Sequence, residues 1–354
     1  MISFIIASNK TTRIFYFIKT IFFEGYTKAF YYLKLYRSFL EKDYKNFFLL
    51  SKKRNIPEYN KTYFFNKLCI EYLHAILFKS FQDAAKLRLM IEKEIISNTK
   101  FKILTKSFYD LNFNTKKIFF KETSKEFKEF LKNKEIVFIG PAIGEKIKIK
   151  KNQIIITTNI TNDILKYRNI KKVSYFSNRR VNFFAKETIS KIEKCDFSIL
   201  KSKSSLEKLN LNYQKIKLRV MNENKYYVFG SPMMLQLVLI DLLNHGASKI
   251  FLKNFDLYTT KNSYRKNYRT QKSKSDIRIR TFLSLRIHDA LSNFIFIKNL
   301  YLNFGDKIVF DKKLVKILNL NLINYAKILD INAGKKISFK NHNLAQIKKK
   351  NEKY

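Results

Sequence analysis

Along the first third of the chain, apolar residues return every three or four positions. Leu68, Tyr72, Leu73, Ile76 and Leu77 form one stripe. The stretch 67–96 predicts a helical hairpin, with Ala84 and Ala85 where the two helices approach closely. The helical pattern holds from about residue 26 to 130 without a fixed repeat length. Near residue 134 the period changes. Short apolar runs follow one another: Glu135–Ile139, 153–156, Lys172–Phe176, 196–200 and 249–252. Runs of this length, bounded by polar turns, read as strands buried on both faces. Helical patterns alternate with them over 185–194 and 233–244, and another follows over 292–303. The alternation predicts an α/β fold: a Rossmann-like, mostly parallel sheet with helices on both faces, preceded by an all-helical N-terminal domain. The expected division is 1–130 helical, 131–333 sheet domain and 334–354 basic tail.

Composition narrows the classes. Of 354 residues, 46% are hydrophobic and 16% aromatic, enough for a packed core, so a wholly disordered chain is excluded. Two cysteines, Cys69 and Cys195, exclude a disulfide scaffold and a thiolate zinc site. The four histidines (His74, His245, His288, His342) lie far apart in sequence and form no His-x-x-x-His pair. The net charge of +43 suits attraction to a polyanion such as nucleic acid, anionic lipid or lipopolysaccharide. It also reflects a chain saturated with Lys, Asn, Ile, Phe and Tyr and without Trp, a set written by A/T-rich codons. Residues 1–40 are apolar and aromatic, but Lys10, Arg13, Lys19, Glu24, Lys28, Lys34 and Arg37 break any run of the roughly 20 residues that a membrane span needs. They read equally as an interfacial basic helix or as an amphipathic helix facing a core. No small-residue cleavage site follows, so a signal peptide is not expected.

In parallel sheets ligands bind beyond the carboxyl ends of the strands, and polar motifs cluster there. The first strand runs into Gly140-Pro141-Ala142-Ile143-Gly144, a turn that could bring N–H groups to a phosphate or could simply be tight. Asn159 and Asn178 follow the second and third strands; Asn suits ribose hydroxyls and base edges, and also turns. Ser231-Pro232 reads as an N-cap followed by Pro at N1 of the 233–244 helix, and His245-Gly246 as its end. The last apolar run leads into Asp256 and Tyr258. A polar, basic stretch over 259–281 with Tyr264 comes next, then Arg286, His288 and Asp289. Asp256 could cap a turn and Tyr258 could be half-buried packing. Arg286 and Asp289 read as a surface pair worth under about 1 kcal/mol.

Taken together, these residues resemble the bacterial lipooligosaccharide sialyltransferases, glycosyltransferase family 42. The resemblance covers about residues 134–330 and does not reach the N-terminal helices. Gly140 to Gly144 stand where the family has its glycine-rich turn, and Asn159 and Asn178 where it has an Asn after each of the next two strands. Ser231 and Gly246 match the two ends of a family helix. Asp256, Tyr258 and Tyr264 keep the family's spacing of two and eight, and His288 takes the place of its catalytic histidine. Pro141 and Ala142 replace Asn and Ser of the family turn, Asn254 replaces a Gly, and Asp289 stands where relatives have Ser.

The resemblance implies an inverting transfer of a CMP-activated acidic sugar to a glycan or glycolipid acceptor. His288 would be the general base, and Tyr258 and Tyr264 would donate to the leaving phosphate. Gly140, Pro141, Ala142, Asn159, Asn178, Ser231 and Asp256 would hold the donor. Stretch 259–281 would act as a lid that excludes water. No cofactor or metal is expected, since no Asp-x-Asp motif occurs. The implied setting is the cytoplasmic face of an inner membrane, touched through the basic aromatic N-terminus. Two other readings stay open: a nucleic-acid-binding protein using its basic aromatic surface, and an inactive scaffold. The choice of CMP-sugar, acceptor and oligomeric state, including a homo-oligomer, is not legible.

Overall fold

The computed structural model describes residues 61–99, 124–144, 146–158, 162–176, 192–201, 218–221, 232–260, 281–282 and 284–334. The helical hairpin expected over 67–96 is α1 (Lys61–Phe78) and α2 (Phe81–Ser97). Ser80 separates them: its backbone is extended and its hydroxyl accepts from the Asp83 N–H at 2.9 Å, an N-cap that starts α2. Ser124 likewise caps α3 (Lys125–Leu131), accepting from the Phe127 N–H.

The sheet follows. Its strands are β1 (Glu135–Ile139), β2 (Gln153–Thr158), β3 (Lys172–Phe176), β4 (Phe197–Leu200), β5 (Leu218–Val220), β6 (Lys249–Lys253) and β7 (Ile308–Phe310). All seven are parallel, in the order β5-β4-β3-β2-β1-β6-β7. The five expected strands are present, with β2 running on to Thr158. The edge strands β5 and β7 have three residues each and do not stand out in the apolar pattern. The fold is thus α/β on a single all-parallel sheet.

Alternation along the strands sorts the core into two faces. On one, Ile136, Phe138, Ile154, Ile156, Val173, Tyr175, Ile250 and Leu252 pack in the main cluster. Against it lie α5 (Met234–Asn244), α6 (Ala290–Asn303), α7 (Lys312–Leu318) and α8 (Leu322–Ala333). On the other, Val137, Ile139 and Ile155 pack with Ile164 of α4 (Asn162–Leu165). Each large aliphatic side chain fully buried in this way stabilises the fold by about 1.5–3 kcal/mol.

The hairpin shares the main cluster. Phe65, Leu68, Tyr72, Leu73, Ile76, Leu77, Ala84 and Ala85 are buried in it beside the helices of the sheet. Asp330 of α8 accepts from the first N–H groups of α2, Phe81 at 2.7 Å and Gln82 at 2.9 Å. Hairpin and sheet helices are therefore packed against one another.

The start of α5 differs from expectation and its end does not. Helix α5 starts with Met233 as N-cap, not Ser231, because the Asn293 Oδ1 of α6 takes the Met233 N–H at 2.8 Å. Pro232 consequently precedes the cap instead of occupying N1. The expected end is as read: Gly246 has φ +73°, its N–H reaches Leu243 O and the Ala247 N–H reaches Leu242 O, the Schellman arrangement. Among the described residues no helix is long and apolar enough to cross a membrane. Residues 1–60 and 335–354, with the N-terminal basic aromatic stretch and nearly all of the tail, lie outside those described.

Candidate active site

The order of strands fixes where to look. From β1 the chain steps outward through β2, β3, β4 and β5, then returns to place β6 on the other side of β1. This reversal makes β1 and β6 the switch point, and in open parallel sheets the crevice for a ligand lies there, at the carboxyl ends. The two loops leaving that point are 140–144 and 254–260.

The loops are locked together. The Gly140 N–H donates to Lys253 O at 2.8 Å and the Ala142 N–H to Asn254 O at 3.0 Å. A Cβ on Gly140 would lie 2.3 Å from Asn254 O and 2.7 Å from the Phe255 ring, and one on Gly144 would lie 2.0 Å from the Asn254 Oδ1. Close approach of the neighbouring loop therefore accounts for both glycines. It also changes the reading of the turn: the Gly140 and Ala142 N–H groups are occupied and Pro141 has none, so these three residues can line a donor but do not cradle a phosphate with their amides.

The β6 exit is an irregular turn held from outside. Asn254, Leu257 and Tyr258 have φ of 60°, 44° and 66°, left-handed values that side chains disfavour. Asp256 is buried at its centre. Its carboxylate accepts from the Tyr258 N–H at 3.0 Å and from the Thr260 hydroxyl, and its carbonyl accepts from the Thr259 N–H and hydroxyl. Burial pushes the carboxyl above the usual carboxylate range, against the pull of those bonds. Asp256 thus caps the turn that carries Tyr258. Tyr258 is half-buried against the main core, and its carbonyl accepts from the Asn332 Nδ2. The Tyr325 hydroxyl donates to Leu257 O, and the Asp311 carboxylate accepts from the Asn254 N–H.

His288 arrives from another direction. Helix α6 connects to β7 through four residues, so it runs antiparallel to the strand and its N-terminus lies at the carboxyl end of the sheet. The same holds for α5 and β6. His288 is the last residue before the α6 N-cap and is half-buried. Its N–H bonds Ser284 O, and its carbonyl accepts from the Asn293 Nδ2 at 2.6 Å. Through Asn293 it is joined to the first turn of α5.

The expected surface pair Arg286–Asp289 does not form. Both are buried, 4% and 0% exposed, and each is held by other partners, Arg286 by the end of α1 and Asp289 by Tyr72 of α1 and Ser292 of α6. Arg286 donates to Ile76 O (2.7 Å) and Lys79 O (3.1 Å) at the end of α1 and stacks over Phe81, and burial lowers its guanidinium pKa to about 10. Asp289, at φ 52°, caps α6 through the Ser292 N–H and accepts from the Ser292 and Tyr72 hydroxyls.

Asn159, Asn178, Ser231 and Tyr264, with nearly all of the 259–281 lid, lie outside the described residues. Of the expected site residues, the structure brings Gly140, Pro141, Ala142, Asp256, Tyr258 and His288 to one end of the sheet. Among the described residues no group of three His, Cys, Asp or Glu side chains is arranged to hold a metal ion. The residues that hold this end in place (Asn293, Asp311, Tyr325 and Asn332) were not readable as such. Asp311 alone had a local signal, as N-cap of α7 bonding the Leu314 N–H. No protein-family model, curated protein or solved structure matches the chain.

Proposed function

We propose that the protein is a metal-independent, inverting glycosyltransferase. It would move a CMP-activated acidic sugar, sialic acid or a related ulosonic acid, to a cell-surface glycan such as lipooligosaccharide or capsule. The observation that carries the reading is positional. Three separate stretches, 140–142, 256–258 and the one ending in His288, the first of them more than a hundred residues before the other two, reach the carboxyl end of one parallel sheet, two of them at its switch point. In this proposal the His288 imidazole takes the proton of the attacking hydroxyl as general base. The Tyr258 hydroxyl, with that of Tyr264, donates to the departing phosphate. Asp256 acts by holding the Tyr258 turn, since its oxygens are engaged within it. Rossmann-like donor binding and a peripheral position on the cytoplasmic face of an inner membrane belong to the same proposal.

The test is a thermal-shift comparison of CMP with UDP, GDP and ADP, followed by transfer assays with CMP-sugars. Selective stabilisation by CMP supports the reading, because a ligand bound to the folded state raises the melting point. In His288→Ala transfer should disappear while CMP still stabilises; full transfer would remove His288 as base. The net charge of +43 favours a second reading, a nucleic-acid-binding protein. That reading requires affinity falling steeply with salt and indifference to His288.

A further inference from the structure

The hairpin α1–α2 reaches the His288 segment at an unusual place. Tyr72, 1% exposed in the middle of α1, donates its hydroxyl to the Asp289 Oδ1. Asp289 is 0% exposed and left-handed, and the same oxygen receives the Ser292 N–H at 3.1 Å while its other oxygen receives the Ser292 hydroxyl at 2.5 Å. Burial, then the Asp289 charge, holds the Tyr72 phenol well above its ordinary range, so it stays a donor. A few residues earlier Arg286 is tied to the end of α1. On the other side, the Asn293 amide spans His288 O and Asp289 O. The peptide unit between His288 and Asp289 is therefore gripped from α1 and from α6 at once.

We infer that Tyr72 is a positioning residue for His288: through Asp289, α1 sets the backbone from which the imidazole projects. This rests on the reading of His288 as general base, but the positional link itself does not. A hydroxyl-to-carboxylate bond inside the core fixes direction as well as contact. Losing it leaves Asp289 free to shift within its left-handed turn, and a displacement near 1 Å at a reacting group costs on the order of a hundredfold in rate.

The experiment compares two isosteric changes in the full-length protein. Tyr72→Phe removes the donor to Asp289. Tyr175→Phe removes a buried hydroxyl of the same kind, 2.7 Å from the Asp241 carboxylate on the α5 helix. The imidazole signals of labelled histidine are followed through a pH titration, His288 being assigned with His288→Gln. CMP-sugar transfer is measured in parallel. Tyr72→Phe should displace the His288 signal and its titration midpoint, and should lower kcat about tenfold or more with KM for the donor within about twofold. Tyr175→Phe should leave both readouts unchanged at a similar loss of melting temperature. Asp289→Asn, which keeps an acceptor for the Ser292 N–H, should displace the signal in the same sense and covers the case in which Tyr72→Phe does not fold. An unmoved His288 signal in Tyr72→Phe, or equal effects from Tyr175→Phe, would overturn the inference. If the native protein transfers no CMP-sugar, the proposed reaction fails, and the imidazole titration still decides the positional link.

Discussion

Gly140→Ala is the sharpest perturbation of the switch point. The added Cβ would lie 2.3 Å from the carbonyl oxygen of Asn254 and 2.7 and 2.8 Å from two atoms of the Phe255 ring. The oxygen is main chain and the ring is packed edge-on against Phe138 at 4.8 Å, so neither can swing aside. The β6 exit must move, stretching the bonds from Gly140 N to Lys253 O and from Ala142 N to Asn254 O. Overpacking costs about 1–3 kcal/mol, and each weakened bond adds about 0.5–1.5 kcal/mol at most. Together they come to about 2–6 kcal/mol, a fall in Tm of about 5 °C or more. Gly144→Ala offers an internal comparison. Its Cβ would meet the Asn254 Oδ1 at 2.0 Å, the far end of a side chain. Asn254→Gly removes that obstacle and suits the local φ of 60°. Urea unfolding of the singles and both doubles should show Asn254→Gly restoring Gly144→Ala almost completely and leaving Gly140→Ala damaged. A Gly140→Ala protein as stable as the parent, or one restored equally by Asn254→Gly, would refute the close-approach account.

Three further outcomes follow from the buried polar groups. In neutral form His245 donates from Nδ1 to Asp241 O at 2.7 Å and accepts the Ser124 N–H on Nε2 at 3.1 Å; a proton on Nε2 removes that acceptor. Burial holds its pKa below the ordinary value despite the nearby Asp241. The unfolded chain then binds the proton first as pH falls below about 6.5, so stability should drop from there downward; urea midpoints of the parent should show this slope and those of His245→Gln should not. Arg286→Leu leaves the Ile76 and Lys79 carbonyls without their donor and should cost about 1–3 kcal/mol, read as a lower urea midpoint with unchanged slope. Asp330→Ala strips two N–H partners from the start of α2 and should cost about 1–2 kcal/mol, with faster hydrogen exchange confined to the first turn of α2.

The central sheet was legible because β1, β2, β3 and β4 are covered on both faces and carry dense apolar runs in place of a polar–apolar alternation. The edges were not: β5 places Arg219 in a three-residue strand, where it binds Asp241 of helix α5. The end of α5 was legible because Gly246 is a local necessity, whereas its start was misplaced because the deciding acceptor, Asn293, is 60 residues away. The same limit governs the candidate site. Its residues could be picked out from their places after the strands, but Arg286 and Asp289, three apart, resembled an ordinary pair. What separates them is α1: the Tyr72–Asp289 bond spans 217 positions and the Arg286–Ile76 bond 210. No local pattern encodes such partners.

The bonds that shape this end of the molecule share one character. Asn293 grips His288 O, Tyr325 grips Leu257 O, Asn332 grips Tyr258 O and Asp311 grips the Asn254 N–H. Each runs from a side chain to main chain, so each fixes the path of the backbone. That path needs fixing: four of the five non-glycine residues found at positive φ among the described residues are Asn254, Leu257, Tyr258 and Asp289. Such backbone costs on the order of 1–3 kcal/mol per residue and persists only where the surroundings over-determine it. An inert scaffold would gain stability by relaxing these turns. Concentrating the strain in the two segments that carry Tyr258 and His288, and holding it with buried side chains from α6 and α8 and the half-buried Asp311 at the start of α7, is an arrangement that makes physical sense if the carboxyl end of the sheet has a geometry to keep.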